Sequence, residues 1–511
     1  MLDLGTTFIA AVEREPDKIA IVDGELRLTY SQWFKKISRL ANALNELGIH
    51  RGDHLVVVLQ NRWEMATLHW ACQLQGIIIT PINWRANVGE IDYVLKDAQA
   101  KAVVFQDISR DTISRSKSAN TVMQIGIDAQ TGKGMSFNDL INSSSASREP
   151  RASHDDFSLM LYTSGTTGRG KGVPRRHYAE RAAALAHVAQ NQYAYGETTL
   201  GVMPLYHTMG VRSLLAMALV NGCFVCLPRF YPDRALELIQ NEKITNLYLV
   251  PTLYHDLITC DVFEKTDVSS VRKLGFAGAP MTDGLLQGLV NAFQPELFVN
   301  HYGSSEIYTF TICPDAPAKP GSAGKAGINQ RIRVVKVDSN NPDNIVDSNQ
   351  EGQIIASLAA DEAFEGYWNR PDANEKSLHD GWYFTGDIGY FDSDGDLFVT
   401  GRVDDMVISG GENIMPVEIE SVLSLHPAVA EVAIAGLPDE RLGQKVVAFI
   451  KAEDKVNADT LNAYMKESNL ENYKRPREYV FVNSIPKSPV GKILRRLLIA
   501  GEYEIKKPHS A

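Results

Sequence analysis

The stretch LYTSGTTGRGKG, residues 161–172, gathers glycines, hydroxyls and a lysine at a spacing suited to holding phosphate. Read from Gly165, it gives G-x-x-x-x-G-K, and a P-loop would follow that lysine with a Ser or Thr whose hydroxyl binds magnesium. Here Gly172 takes that place. The hydroxyls come earlier: Thr163, Ser164, Thr166 and Thr167 are interleaved with Gly165 and Gly168. Backbone N–H groups and hydroxyls in this pattern can wrap a triphosphate together, and Lys171 adds a positive charge. Three readings stand open at this point: a P-loop with a defective magnesium ligand, a loop that grips ATP in another way, and a merely solvated hairpin.

Two other groups of residues invite chemistry. Cys223 and Cys226 form a C-x-x-C in GCFVCLP, but no second Cys/His pair at ligand spacing follows, and the alternating apolar neighbours read as a buried strand. Inert core thiols are expected. His50 and His54 stand four apart in HRGDH, yet Gly52 breaks the helix that a metal pair would need, so they read as loop histidines.

The elements that must position the phosphate loop follow an α/β rhythm. Residues 29–48 carry apolar side chains at helical spacing and close on Gly48, which predicts a helix with a glycine cap. HLVVVLQN then reads as a strand, EMATLHWACQLQG as a helix and KAVVFQD as a strand, the alternation of a parallel sheet. Residues 108–155, rich in Ser, Asp and Gly, read as a loose surface excursion. Strand-like runs resume at LMLYTS and continue through LGVMPLY, CFVCLPR, ITNLYLVP, KLGFAGAP and LFVNHYG. Each ends in a polar or glycine-bearing loop, where open parallel sheets place ligand contacts. Beyond about residue 320 shorter β-like segments take over, and from about residue 405 a helix, two strands and a second helix suggest a small α+β domain.

Size and charge narrow the class. A chain of 511 residues exceeds one compact core, so two or more domains are expected. The composition, 44% apolar and 22% charged, is that of a globular protein. The net charge of −11 without a dense basic tract argues against a nucleic-acid partner. The N-terminus carries acids instead of a basic signal region, and KKPHSA at the C-terminus matches no lipidation or peroxisomal signal. Apolar runs such as GIIITPI fall far short of the roughly 20 residues of a membrane span. Five cysteines make no disulfide framework, and a cytoplasmic enzyme with no membrane partner is expected.

Three further stretches settle the loop's meaning: VNHYGSSE at 299–306, GWYFTGDIGYFDSDGDLFVTGRVDDMVISGGENIMPVEIE at 381–420, and PKSPVGKILRR at 486–496. With YTSGTTGRGKG, in this order and at these separations, they resemble the adenylate-forming superfamily of acyl-CoA synthetases, luciferases and peptide-synthetase adenylation domains. The resemblance runs from about residue 8 to 498. MPLYH at 203–207 and FAGAPM at 276–281 look most like bacterial benzoate- and 4-chlorobenzoate-type CoA ligases. In that family the loop reads T-S-G-T-T-G-x-P-K-G. Gly170 stands where the proline would be, and that change alone creates the P-loop look-alike.

The resemblance implies a fold and a reaction. The fold is α/β: a large N-terminal domain (1–403) of parallel-rich sheets flanked by helices with a β-rich subdomain, and a small mobile α+β C-terminal domain (404–511) hinged at Asp404. In the reaction ATP first converts a carboxylic acid to an acyl-adenylate with loss of pyrophosphate. Coenzyme A then displaces AMP. Magnesium would be held by Glu306 and Thr163. Lys492 would bridge the carboxylate and the α-phosphate, and His207 would gate the path between acid and thiol. Besides the 163–168 loop and Lys171, nucleotide contacts fall on Gly278, Ala279 and Pro280, and on Asn300, His301, Tyr302, Gly303, Ser304 and Ser305. Tyr302 would stack on adenine, Ser305 would approach the α-phosphate, and Asp387 would accept from both ribose hydroxyls with Arg402 beside it.

For CoA the resemblance marks Arg85, Tyr473, Arg475 and Arg477, with Gly410 and Gly411 lining a tunnel for the pantetheine arm. Leu442 departs from the family, standing where the chlorobenzoate enzymes have tryptophan. The acid pocket would be walled by Ala186, His207, Thr208, Met209 and Tyr248, and by Gly278, Gly303, Ile307 and Tyr308. Ala186 replaces a large aromatic residue, which implies a roomier pocket for a ring-bearing acid. The alternatives are a medium-chain fatty acid, or a carrier-protein phosphopantetheine in place of free CoA. A monomer or homodimer is expected.

Overall fold

The computed structural model of the chain describes residues 1–128, 135–143, 145–146, 149–163, 170–337, 339–452, 456–468, 470–487 and 493–506. Three sheets organise them. The first begins with the hairpin Ile19–Asp23 and Leu26–Thr29 and runs through parallel strands Cys223–Cys226, Thr198–Gly201, Asn246–Leu249, Lys273–Ala277 and Leu297–Tyr302. It then turns antiparallel through Thr311–Cys313, Ser322–Ala326, Leu397–Arg402, Trp382–Phe391, Gly352–Ser357 and Ile332–Val335. The parallel half is the α/β part expected from the sequence, and the antiparallel half is the β-rich part.

The second sheet has seven strands, in the order Met135–Ser136, Met123–Gly126, Ala102–Phe105, His54–Val58, Ile78–Pro81, Phe157–Thr163 and Lys171–Arg176. The helix predicted over 29–48 spans Tyr30–Glu46, starts on a Thr29/Gln32 capping box and is followed by Gly48 at φ +79°. Residues 108–155 are not the loose excursion that their composition suggests. Two strands there extend the second sheet, and the helix Phe137–Ser143 buries Phe137, Leu140 and Ile141 in the core. Elements of two to seven residues carry too few periods to stand out from Ser, Asp and Gly around them.

His54 is likewise no loop residue. It opens a buried strand, its Nδ1 lies 3.0 Å from Thr80 Oγ1, and burial lowers its pKa to about 4. Cys223 and Cys226 do sit on a strand, and burial pushes the Cys223 thiol up to about 12, which fits inert core thiols.

The third sheet comprises Val407–Ser409, Glu412–Ile414, Val429–Asp439, Gly443–Ala452 and Glu478–Phe481, with the helices Pro416–Ser424 and Ala458–Glu467 packed on it. It is the core of the small C-terminal α+β domain.

Candidate active site

The glycine-hydroxyl loop joins Phe157–Thr163 to Lys171–Arg176, which pair antiparallel with Thr163 opposite Lys171. A P-loop runs from a strand into a helix, so this hairpin excludes it. Gly172 lies within the second strand, where a Cβ would come within 3.0 Å of Met160 Sδ and 3.1 Å of Trp368 Cβ. Trp368 N–H donates to the Gly172 carbonyl at 2.9 Å. That bond is from the Trp368 backbone, so the position that would carry a P-loop hydroxyl is closed off by the chain at Trp368 instead. Ser164, Gly165, Thr166, Thr167 and Gly168 lie outside the described residues, as does Lys492.

Lys171 Nζ sits 4.0 Å above the ring of Tyr367, whose hydroxyl donates to Glu306 Oε1 at 2.7 Å. Burial lowers the lysine's pKa, and the Glu306 charge acts against that shift. Glu306 is only 6% exposed, and among the described residues no Lys, Arg or His nitrogen forms an ion pair with it. A buried carboxylate that meets a phenol in place of a cation is suited to a cation delivered with a substrate. Its backbone is fixed by Arg175 Nη1 and the Phe364 N–H, which donate to its carbonyl at 2.8 and 3.0 Å. Thr163 stands at the strand end, its Oγ1 3.5 Å from the Lys171 carbonyl.

The second half of the site is brought together over long sequence distances. Tyr302 closes the parallel strand Leu297–Tyr302, and its hydroxyl donates to Asp387 Oδ2 at 2.5 Å. Arg402, opposite Asp387 in the antiparallel pair, donates from Nη1 to Oδ1 at 2.6 Å. Burial and the adjoining Asp387 charge raise the Tyr302 pKa well above that of a free phenol. Gly278, at φ +86°, lets the chain leave the neighbouring strand Lys273–Ala277 toward Ala279 and Pro280 at the same strand ends. Gly303 admits no side chain, since a Cβ would lie 2.1 Å from the Tyr308 carbonyl oxygen. The turn that follows is held by Ser304, which accepts from the Glu306 and Ile307 N–H groups, and Ser305 is half-buried within it. Asn300 Nδ2 donates to the Ser322 carbonyl at 2.8 Å, and His301 is buried against Asn191.

The residues expected to wall the acid pocket are largely buried. His207 caps the helix Thr208–Leu219, Thr208 and Met209 are buried in its first turn, and Ala186 is buried on the helix His177–Gln190. Tyr248 and Tyr308 are buried with their hydroxyls engaged: Tyr248 accepts from Arg212 at 2.7 Å, and Tyr308 donates to Glu180 at 3.0 Å. Ile307 is buried and pairs with Ala363.

The expected CoA positions are more scattered. Arg85 is exposed and stacks over Trp84 at 3.7 Å, whereas Arg475 directs Nε and Nη2 to the Leu470 carbonyl. Tyr473 and Arg477 are exposed. Gly410 and Gly411, at φ +64° and +90°, form the two-residue turn between Ser409 and Glu412. Leu442 Cδ2 would lie 3.4 Å from a Cβ on Gly410. Asp404 sits in the 3₁₀ turn Val403–Asp405 with Lys376 at 4.0 Å.

Sequence reasoning missed Tyr367, the shared partner of Lys171 and Glu306. It also missed Arg212, Glu362 and His187, which are buried near Tyr248. The one carboxylate cluster of metal-ligand geometry among the described residues, Asp392, Asp394 and Asp396, is bridged by Lys319 at 2.6 to 3.0 Å.

Comparison with known proteins fits this geometry. The sequence pattern of the AMP-binding enzymes matches residues 8–368, and that of their C-terminal domain matches residues 418–492. The chain is 31% identical over 499 residues to a 4-chlorobenzoate–CoA ligase of an Arthrobacter species, covering 96% of this chain and 93% of that one. It is 30% identical to a long-chain-fatty-acid–CoA ligase of Mycobacterium tuberculosis, with 93% of each chain covered. An o-succinylbenzoate CoA synthetase from Bacillus subtilis, solved with its acyl-adenylate intermediate, superposes with a TM-score of 0.84 at 27% identity, covering 96% of this chain and 97% of that one. On the extent of those matches, the chain belongs to the family of AMP-binding enzymes.

Proposed function

We propose that this protein is an ATP-dependent acid–CoA ligase that works through an acyl-adenylate. The observation that carries the reading is the joining, at the ends of the parallel strands, of a ribose-type acceptor (Asp387 with Arg402 and Tyr302) to a charge-compensating group (Lys171, Glu306) beside the hydroxyl-rich hairpin. Support comes from relatives named as acid–CoA ligases for an aryl acid, a fatty acid and o-succinylbenzoate.

In the first step a carboxylate oxygen attacks the α-phosphorus of ATP, and pyrophosphate leaves. Two anions must approach, so the protein's contribution is positioning and fixed positive charge. Asp387 orients the ribose, Tyr302 supports the adenine, and the hairpin with Lys171 holds the phosphates. Glu306 and Thr163 would hold a magnesium ion, which arrives with ATP and would supply charge to the phosphates, and Lys492 screens the reacting oxygens. In the second step the thiol of coenzyme A attacks the acyl carbon, and AMP leaves with the bridging oxygen. The small domain turns about Asp404 between steps, withdrawing Lys492 and presenting the Gly410–Gly411 turn. The acid pocket behind His207 and Ala186 takes a ring-bearing acid.

Among the described residues no helix is long and apolar enough to cross a membrane. The test is exchange of labelled pyrophosphate into ATP. Exchange that requires a carboxylic acid supports the reading, and acid-independent release of ADP and phosphate contradicts it.

A further inference from the structure

Behind the expected acid wall lies a buried arginine that forms no ion pair among the described residues and faces the rings of Tyr248 and Tyr308, at 5.5 and 5.6 Å. Arg212 is 2% exposed on the helix Thr208–Leu219, one turn beyond Thr208 and so on the same face. Its Nη1 donates to Thr309 Oγ1 at 2.6 Å and its Nη2 to the Tyr248 hydroxyl at 2.7 Å, both neutral acceptors. Its Nε has no hydrogen-bond partner. The nearby core arginine, Arg175, takes Glu180 at 2.7 Å, so that carboxylate is engaged elsewhere. Glu362 is close enough for the Arg212 charge to favour its ionised form, but it makes no ion pair with Arg212 among the described residues, and burial pushes its pKa to about 7.

The histidines next to it add an unused donor. Asn191 Nδ2 donates to the His187 carbonyl at 2.8 Å, which fixes the orientation of the amide. The same Nδ2 therefore donates to His187 Nδ1 at 3.0 Å, and Asn191 Oδ1 accepts from His301 Nε2 at 3.1 Å. Burial and the Arg212 charge hold both rings neutral. His187 thus carries its proton on Nε2, and that buried N–H has no partner. Its ring lies 4.7 Å from the ring of Tyr248, whose hydroxyl already accepts from Arg212. A buried cation and surplus N–H donors share one neighbourhood with residues of the acid wall.

Native interiors rarely leave a buried charge unpaired, because desolvation costs more than neutral hydrogen bonds return. A guanidinium is built to meet a planar anion. We propose that Arg212, with His187 Nε2–H and the Tyr248 hydroxyl, forms the far wall of the acid pocket and selects a dicarboxylic acid, docking the carboxylate that does not react. The inference rests on the ligase reading above and narrows its substrate.

The test is acid-dependent pyrophosphate exchange on matched pairs: glutarate against pentanoate, adipate against hexanoate, and isophthalate and terephthalate against the corresponding methylbenzoates. Wild-type protein is expected to favour at least one diacid over its monoacid partner by roughly 10⁴-fold in kcat/KM, the scale on which a polar site rejects a ligand lacking its partner group. Arg212→Met should remove that preference through KM with kcat little changed, and Arg212→Lys should keep part of it. Monoacids favoured in every pair by the wild type, or an equal loss for both members of a pair in Arg212→Met, would overturn the inference. Should Arg212→Met not fold, the wild-type comparison decides alone. Exchange with monoacids only would leave the ligase reading standing, whereas exchange with no acid would remove both.

Discussion

Asp387 accepts at once from the Arg402 guanidinium and the Tyr302 phenol, on strands that bring together residues 302, 387 and 402. A carboxylate fixed from two sides keeps its position when a ribose arrives, so little ordering is left to do on binding. Hydrogen bonds to charged groups contribute about 1.5–3 kcal/mol each. Asp387→Ala is therefore expected to raise KM for ATP by roughly 10²-fold in the exchange assay; an unchanged KM would assign the residue to structure alone. Glu362 makes a prediction of a different kind. Its pKa rises from 4.5 to about 7 in a core that also holds Arg175, Arg212 and Glu180. A raised carboxyl pKa means that the folded protein binds the proton more tightly, so stability falls as pH rises from about 4.5 to about 7. Glu362→Gln should match the wild type near pH 4.5 and gain up to about 3 kcal/mol above pH 7.5, read by urea unfolding at both pH values. A variant with no pH-dependent gain would show that Glu362 is charged at no cost. Neither Glu362 nor Arg212 was legible in the sequence: TMGVRSLLAMAL reads as an apolar helix, and a single charge within it is ordinarily a surface residue. The motif resemblance marked Tyr302, Asp387 and Arg402, because spacing alone cannot join positions 85 residues apart.

At the scale of elements, glycine decides three local geometries. Gly170 has no positive φ, so proline's φ is not ruled out, although a Cβ would approach the Thr163 carbonyl oxygen to 3.0 Å. Gly170→Pro should then stabilise the protein by roughly 0.4–1 kcal/mol through its unfolded state, and a loss in urea unfolding would show that the hairpin cannot yield those few tenths of an ångström. Gly172→Ser, which completes the P-loop letters, should instead destabilise by about 1–3 kcal/mol through overpacking against Trp368 and confer no acid-independent ATPase activity. The Gly410–Gly411 turn needs left-handed residues whatever else it does. Asn tolerates that conformation, so Gly411→Asn separates the turn from the tunnel: fold and adenylation are kept, and transfer to CoA is expected to slow by roughly 10²-fold. Transfer at the wild-type rate would mean that the glycine serves only the turn. The long helices and core strands were legible from their apolar periods. The last two strands at one end of the sheet, Met123–Gly126 and Met135–Ser136, were not, since pairing to the sheet, which the sequence does not display, is what makes them strands.

At the scale of the whole molecule, one site is proposed to serve two reactions by exchanging faces of the small domain. On either side of Lys492, which lies outside the described residues, Lys487 pairs with Ile493, and Arg495 binds Glu420 at 2.6 Å and Asp405 at 3.3 Å. Lys492→Ala is expected to lose about 10²–10³ in adenylation while converting a supplied acyl-adenylate to acyl-CoA at near the wild-type rate; equal slowing of both halves would contradict rotation about Asp404. The claim beneath all of these is that the carboxylate itself attacks the α-phosphorus. An acid labelled with ¹⁸O in its carboxylate, turned over with ATP and CoA and analysed by mass spectrometry, reads this directly. The account predicts one ¹⁸O in the phosphate of AMP, with pyrophosphate unlabelled. Label in inorganic phosphate, with ADP as the other product, would mean an acyl phosphate and would contradict it.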